Sequence, residues 1–355
     1  MTPLDPVALA LELCAIDSTS WREAEVVAHV ERRLGGLGWR TRRIPVTEGR
    51  DAICAVAGEG PYVTLSTHLD TVPPFIAPRV EGDRLLGRGT CDAKGIAAAM
   101  ICAAERLRAG GHPVALLFVV GEETTHDGAH AANAWAERER FPSRALVNGE
   151  PTESRLALGT KGALRFVLRT EGRAAHSAYP HLGQSATLEL VRLLAELDAL
   201  ELPRDDVLGQ TTINIGALAG GVADNVIAPW AEARMMVRLV GPAADVDALV
   251  RRWVGQRASI TPGPMVPAVR LRVLPGFETG VVAFATDIPA LPAWGAPYLF
   301  GPGSVHVAHT DGEYVSVPEL RASVDAYERI VKSILDDGKE QRGSRSEERG
   351  AREGA

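Results

Sequence analysis

Residues 114–123 read VALLFVVGEE: a continuous apolar run, a glycine, then two adjacent glutamates. Such a run, with no polar alternation, suits a strand covered on both faces, as in a parallel sheet flanked by helices. Two acids ending a buried run are costly unless a cation compensates them. The stretch therefore predicts an α/β sheet with a site at its carboxyl edge, where open α/β sheets bind their ligands.

Outward from that strand the same rhythm repeats. Residues 40–45, 52–57 and 62–67 read as strands before it and 145–148 after it, with helical patterns over 20–38, 93–109 and 128–139. Ser20-Trp21-Arg22-Glu23 has the spacing of a capping box and predicts a helix start. The opening residues MTPLDPVALALELC predict an amphipathic first helix and lack the basic start of a signal peptide. The alternation predicts an α/β fold with a mostly parallel sheet.

The pattern changes after Glu150. Residues 163–169, 211–218, 231–240 and 269–273 read as strands, with helices over 185–200 and 244–256. From residue 276 the α/β character returns, with a strand at 298–300, a Gly301-Pro302-Gly303 turn and a helix over 318–335. The expected organisation is a discontinuous catalytic domain, residues 1–160 and 276–336, interrupted by an α+β insertion over 161–275. Residues 337–355 are charged and Gly-rich and predict a disordered tail.

A chain of 355 residues, 46% hydrophobic and 23% charged, is an ordinary globular composition with room for two domains. Net charge of −7 argues against binding a nucleic-acid backbone. No apolar run reaches the ~20 residues of a membrane span, and a cytoplasmic location is the expectation. Cys14, Cys54, Cys91 and Cys102 are scattered without a CxxC pair and predict buried free thiols.

Five metal-capable residues end apolar runs or sit in turns: His68, Asp92, Glu123, Glu150 and His309. His68 follows a strand, and Asp70 is two residues on, where it can accept the second imidazole N–H and fix the tautomer. Taken alone, that pair equally suits a core histidine beside a capping aspartate. Asp92 lies between a glycine-rich turn and an apolar helix, where an N-cap is the plain alternative. Its two oxygens could instead bridge two ions ~3.5–4 Å apart. Of Glu122 and Glu123, one can bind metal while the other stays free as a base. Together the carboxylates and imidazoles suit zinc or its close relatives.

The motifs HLDTVP, GRGTCDAKG, GEE, NGEP, AAHSAYP and GPGS with AHTDGEYV resemble, in this order, the dinuclear zinc aminoacylase and carboxypeptidase family. The resemblance spans about residues 5–336, and its ending looks most like acetylornithine and acetylcitrulline deacetylases. It implies one zinc held by His68, Asp92 and Glu150 and a second by Asp92, Glu123 and His309, with cobalt or manganese able to substitute. It implies Glu122 as general base to a hydroxide shared by the ions, Asp70 as the orienting residue and a cis Asp92–Ala93 peptide. The insertion resembles a lid and dimerisation domain. His176 is similar to a histidine that stabilises the oxyanion of the partner subunit's reaction, and Asn225, Arg238 and Gly301 to substrate contacts. The expected activity is hydrolysis of the amide of a small N-acyl-L-amino acid by a homodimer. The alternatives are a dipeptidase or carboxypeptidase, a succinyl-diaminopimelate desuccinylase-like enzyme, or a non-catalytic metal-binding relative.

Overall fold

Helix and strand alternate along the first 148 residues of the computed structural model, which describes residues 4–353. The helices are α1 (Pro6–Cys14), α2 (Ala24–Gly36), α3 (Lys94–Ala109) and α4 (Asp127–Glu139). The strands are β1 (Arg40–Thr47), β2 (Arg50–Ala57), β3 (Tyr62–His68), β4 (Val114–Val119) and β5 (Ser143–Asn148). With the strand Ala296–Leu299 they form a six-stranded sheet in the order β1-β2-β4-β3-β5-296–299. The β4/β3, β3/β5 and β5/296–299 pairs are parallel, while β1 and β2 join antiparallel at one edge. The sheet is thus mixed α/β and mostly parallel, as the sequence predicts.

Every residue of β3 and β4 is buried, which is why neither shows polar alternation. Helix α3 is Ala-rich and buried along most of its length, so its backbone can lie close to the sheet. Its start allows no side chain at Gly95, where a Cβ would stand 2.0 Å from the Thr90 carbonyl oxygen. Helix α1 begins at Pro6, and the Asp5 carboxylate accepts a hydrogen bond from the Ala8 N–H.

The chain forms two compact units. One comprises Met1–Ala157, Leu271–Gly280 and Thr286–Ala355, and the other Leu158–Arg270 and Val281–Ala285. In the second unit, β6 (Gly162–Glu171), β7 (Thr212–Gly220), β8 (Trp230–Leu239) and β9 (Ser259–Val266) form an antiparallel sheet ordered β7-β8-β6-β9. One face carries Phe166, Leu168, Ala233, Met235 and Val237. These residues share a core with Leu190 and Leu193 of α5 (Ala186–Leu194) and Val246, Val250 and Trp253 of α6 (Ala243–Val254). Each such large apolar side chain contributes about 1.5–3 kcal/mol on burial.

Three sequence expectations need correction. Ser20 does not cap α2: its hydroxyl donates to Asp70 Oδ2, while Glu23 accepts from Trp21 N and from Arg50. The fourth strand of the second sheet is β9 rather than residues 269–273, of which only Val269–Arg270 is strand. Pro262 and Pro264 hid β9, and it occupies a sheet edge, where missing N–H donors are tolerated. The closing helix runs Val317–Glu353, through most of the segment expected as a disordered tail. Lys, Glu, Gln and Arg sustain a helix by intrinsic propensity without an apolar stripe; residues 354 and 355 lie outside the described residues.

All four cysteines are buried and free. Among the described residues, no helix is long and apolar enough to cross a membrane.

Candidate metal centre

Parallel strands deliver acids and imidazoles to a common edge. His68 is the last residue of β3, Glu122 and Glu123 follow β4, and Glu150 follows β5. Asp92 closes the loop before α3, and His309, with φ of 63°, sits in the loop after the strand Ala296–Leu299. The left-handed backbone is uncommon for a residue other than glycine.

These side chains converge. His68 Nε2 lies 3.0 Å from Asp92 Oδ1 and 3.9 Å from Glu150 Oε2. His309 Nε2 lies 3.2 Å from Asp92 Oδ2 and 3.0 Å from Glu123 Oε1. The two oxygens of Asp92 thus face two different imidazoles, and each imidazole has a second carboxylate of its own. Ligand atoms of His68, Asp92 and Glu123 all lie within 4.8 Å of one another. Glu150 Oε1 is buried and has no hydrogen-bond partner among the described residues. A buried acceptor left unmatched is costly, and a cation is the natural partner for one among so many acids. The donor set of imidazole nitrogens and carboxylate oxygens fits zinc and similar divalent ions.

The surrounding hydrogen bonds aim the donors. His68 Nδ1 is 2.9 Å from the backbone oxygen of Asp70 and 3.6 Å from its Oδ1. With Nδ1–H donating to the carbonyl, Nε2 is the ring nitrogen that faces the cluster. The Asp70 carboxylate, expected from the sequence to orient the ring, stands beside Nδ1 and also accepts the backbone N–H groups of Glu122 and Glu123, each at 3.1 Å. Asp70 therefore fixes the loop carrying both glutamates. The Asp92–Ala93 peptide is cis.

Electrostatics follow from this crowding. Burial, then the charge of Glu150, holds the Glu122 carboxyl well above its ordinary range. Burial likewise raises Glu150 and Glu123. Burial opposes charge on His68, but Asp70, Asp92 and Glu150 hold its proton well above the usual imidazole range. Hydrogen bonds to Asp92 and Glu123 raise His309 to about 10. Burial pushes Asp92 up, yet its contacts to His309 and His68 bring it below the carboxylate range. Without a cation, protons hold these acids and imidazoles together.

Three supports were not read from sequence. Glu313 Oε1 accepts the backbone N–H groups of Gly89, Cys91 and Asp92 at 2.8, 3.1 and 3.1 Å. Its Oε2 takes Arg88 Nη1 at 2.6 Å, and both side chains are buried. Arg50 makes two 3.0 Å bonds to Glu23 and one of 2.6 Å to Asp127 beneath the Gly121 turn. His126 Nδ1 lies 2.8 Å from Asp287, a buried acid whose charge also acts on Glu122 and Glu150. Only Glu313 had a local signal, the acid of AHTDGE four residues after His309.

The remaining expected site residues are not among these donors. Gly301 is buried, its N–H donating to Thr152 Oγ1 at 3.0 Å, and a Cβ there would stand 2.4 Å from the backbone oxygen of Glu150. His176, Asn225 and Arg238 belong to the second unit. His176 and Asn225 are neighbours there: His176 bridges to Val226, and Ser177 N donates to the Asn225 oxygen. His176 Nδ1 accepts the Ala178 N–H at 3.1 Å, which leaves the ring proton on Nε2. Arg238 is half-buried on β8.

A model of the family described as "Peptidase family M20/M25/M40" matches residues 64–333. A probable carboxypeptidase of Aspergillus fumigatus is 35% identical over 379 residues, covering 92% of this chain and 86% of that protein. Among solved structures, the aminopeptidase PepT of Bacillus cereus superposes with a TM-score of 0.77 at 19% identity, over 93% of this chain and 98% of its own. The Bacillus subtilis YXEP protein, described as a dinuclear metal-binding peptidase, gives a TM-score of 0.70 at 15% identity, over 92% and 98%. At such identities the structural likeness speaks for the fold.

Proposed function

The chain belongs to peptidase family M20/M25/M40, a metal-dependent hydrolase family, and on that footing we propose that it releases a C-terminal amino acid from a small peptide. The observation that carries this reading is Asp92, with each oxygen turned to a different imidazole–carboxylate pair. The peptidase reading stands ahead of the deacetylase that the sequence motifs favoured, because the A. fumigatus relative is named a carboxypeptidase.

His68, Asp92 and Glu150 would hold one ion, and His309, Glu123 and the other oxygen of Asp92 a second; zinc is the metal this donor set suits. Two bound divalent ions supply Lewis acidity toward the scissile carbonyl and lower the pKa of the attacking water. Glu122 is the general base. Its carboxylate makes no hydrogen bond or ion pair among the described residues, and its raised pKa suits both halves of a proton shuttle. It takes the proton of the water attacking the carbonyl carbon and passes it to the leaving nitrogen as the C–N bond breaks. His176 would donate Nε2–H to the carbonyl oxygen as that atom gains charge, a contribution worth ~3–4 kcal/mol. Arg238 would hold the α-carboxylate of the released residue, and Asn225 would help to position it.

A homodimer through the second unit is part of this proposal. Strand β7 lies at a sheet edge, exposing Ile215 and Leu218, and α5 exposes Leu188 and Val191. Edge backbone and an apolar patch together suit a second copy of the chain.

Metal-loaded protein assayed on alanyl dipeptides, N-acetylornithine, N-acetylcitrulline and succinyl-diaminopimelate tests the reading. Higher kcat/KM on dipeptides supports it. Preference for an N-acyl substrate would restore the deacylase, and turnover of none would reject both.

A further inference from the structure

The face of the second unit's sheet that lies away from α5 and α6 carries a group of arginines. Arg165 on β6 stands opposite Met236 on β8, and Arg234 and Arg238 flank Met236 at two residues on either side. Side chains two residues apart in a strand share a face, so all three guanidinium groups rise from one surface. Arg165 is a diagonal neighbour of both others, at ~7–8 Å between backbones. The same rows add Thr212 opposite Arg238 and Asn214 opposite Met236, neutral hydrogen-bonding side chains.

Glu232 lies two residues from Arg234 on the same face of β8, but Arg165 and Arg238 have no acid opposite or two residues along. Among the described residues, none of the three arginines makes an ion pair or side-chain hydrogen bond. Their rows contain no acid. Arg169, four residues beyond Arg165 on β6, differs in having Glu232 opposite and Glu171 at 4.0 Å. Like charges on neighbouring sheet positions repel. In a chain of net charge −7, which has acids to spare, two unpaired arginines side by side call for an anion from outside.

We propose that Arg165 and Arg238 form a two-carboxylate site, so that the preferred substrates end in an acidic residue. Arg238 takes the α-carboxylate and Arg165 the side-chain carboxylate, each through a planar fork suited to bidentate pairing. A five-carbon dicarboxylate spans diagonal neighbours on a sheet. Arg234, on the far side of Arg165, strengthens the field there. The assignment deepens the peptidase reading and rests on Arg238 contacting the substrate.

Two measurements test it on metal-loaded protein. The first compares kcat/KM for alanyl-glutamate and alanyl-glutamine, which differ by one charge at constant shape. Wild type should favour the glutamate peptide about tenfold or more, the scale of one charge-assisted contact. Arg165→Gln should bring the ratio near one by lowering kcat/KM for alanyl-glutamate, whereas Arg169→Gln should leave the ratio intact. The second measurement is calorimetric binding of glutarate against its monoamide. Wild type should bind glutarate more tightly, and Arg165→Gln should lose that difference. Equal handling of both peptides, or equal affinity for both ligands, overturns the proposal. Glutarate discrimination without peptide turnover would uphold the two-carboxylate site and reject the peptidase reading alone.

Discussion

Glu313 binds no ion in the arrangement proposed above, yet it sets where Asp92 stands. One of its oxygens gathers three backbone N–H groups of the loop before α3, and the other neutralises buried Arg88. Glu313→Gln keeps the shape and removes the charge, leaving Arg88 buried without a counter-ion. The expected cost is about 3–5 kcal/mol of stability, with zinc affinity reduced ~10–100-fold through misplacement of Asp92. Denaturant melts and competitive zinc titration measure the two effects separately. At this scale His68, Asp92, Glu123, Glu150 and His309 were legible in sequence because each ends a strand-like run or sits in a turn. Glu313–Arg88 and His126–Asp287 were not. Each joins positions more than 150 residues apart in sequence, and no local periodicity marks the pairing.

The turn after β4 shows how an element depends on one missing side chain. Gly121 has φ of 76°, and a Cβ there would stand 2.2 Å from Asp127 Oδ1 and 2.8 Å from Arg50 Nη2. Gly121→Ala should therefore cost at least about 2 kcal/mol and displace Glu122 and Glu123. Gly35, inside α2, has open space within 4 Å. Gly35→Ala should raise stability by ~0.5–1 kcal/mol through helix propensity alone. Thermal melts of both variants, with activity of the first, check the contrast. Elements with strong apolar runs, β3, β4 and α3, were readable; β9 was not, because prolines conceal an edge strand. The false capping box at Ser20 has a related cause. Its two polar side chains are recruited by Asp70 and Arg50, so tertiary contacts override the local pattern.

For the whole molecule, protons and metal compete for one cluster. Glu122, Glu150 and His309 all titrate above their ordinary ranges when folded. A raised folded pKa contributes stability below the unfolded value, which is lost as pH rises through the folded value. Metal-free protein should lose stability as pH climbs above ~4.5 for the acids and ~6.5 for the imidazole. Metal binding expels those protons, so metal affinity should rise with pH. The gap in melting temperature between metal-loaded and metal-free protein should widen between pH 5 and pH 8; a constant gap would show that the groups do not exchange protons for metal. Association is the second property at this scale. Sedimentation should give a dimer for the wild type and a monomer for Leu188→Glu combined with Leu218→Asp, and loss of activity in that monomer would support a role for His176 across the interface. The most direct measurement remains the metal content of Glu122→Gln beside its turnover. Two equivalents of zinc per chain with turnover down at least ~100-fold is the expected result; one equivalent or none, or undiminished turnover, would contradict a paired-ion centre served by a free glutamate.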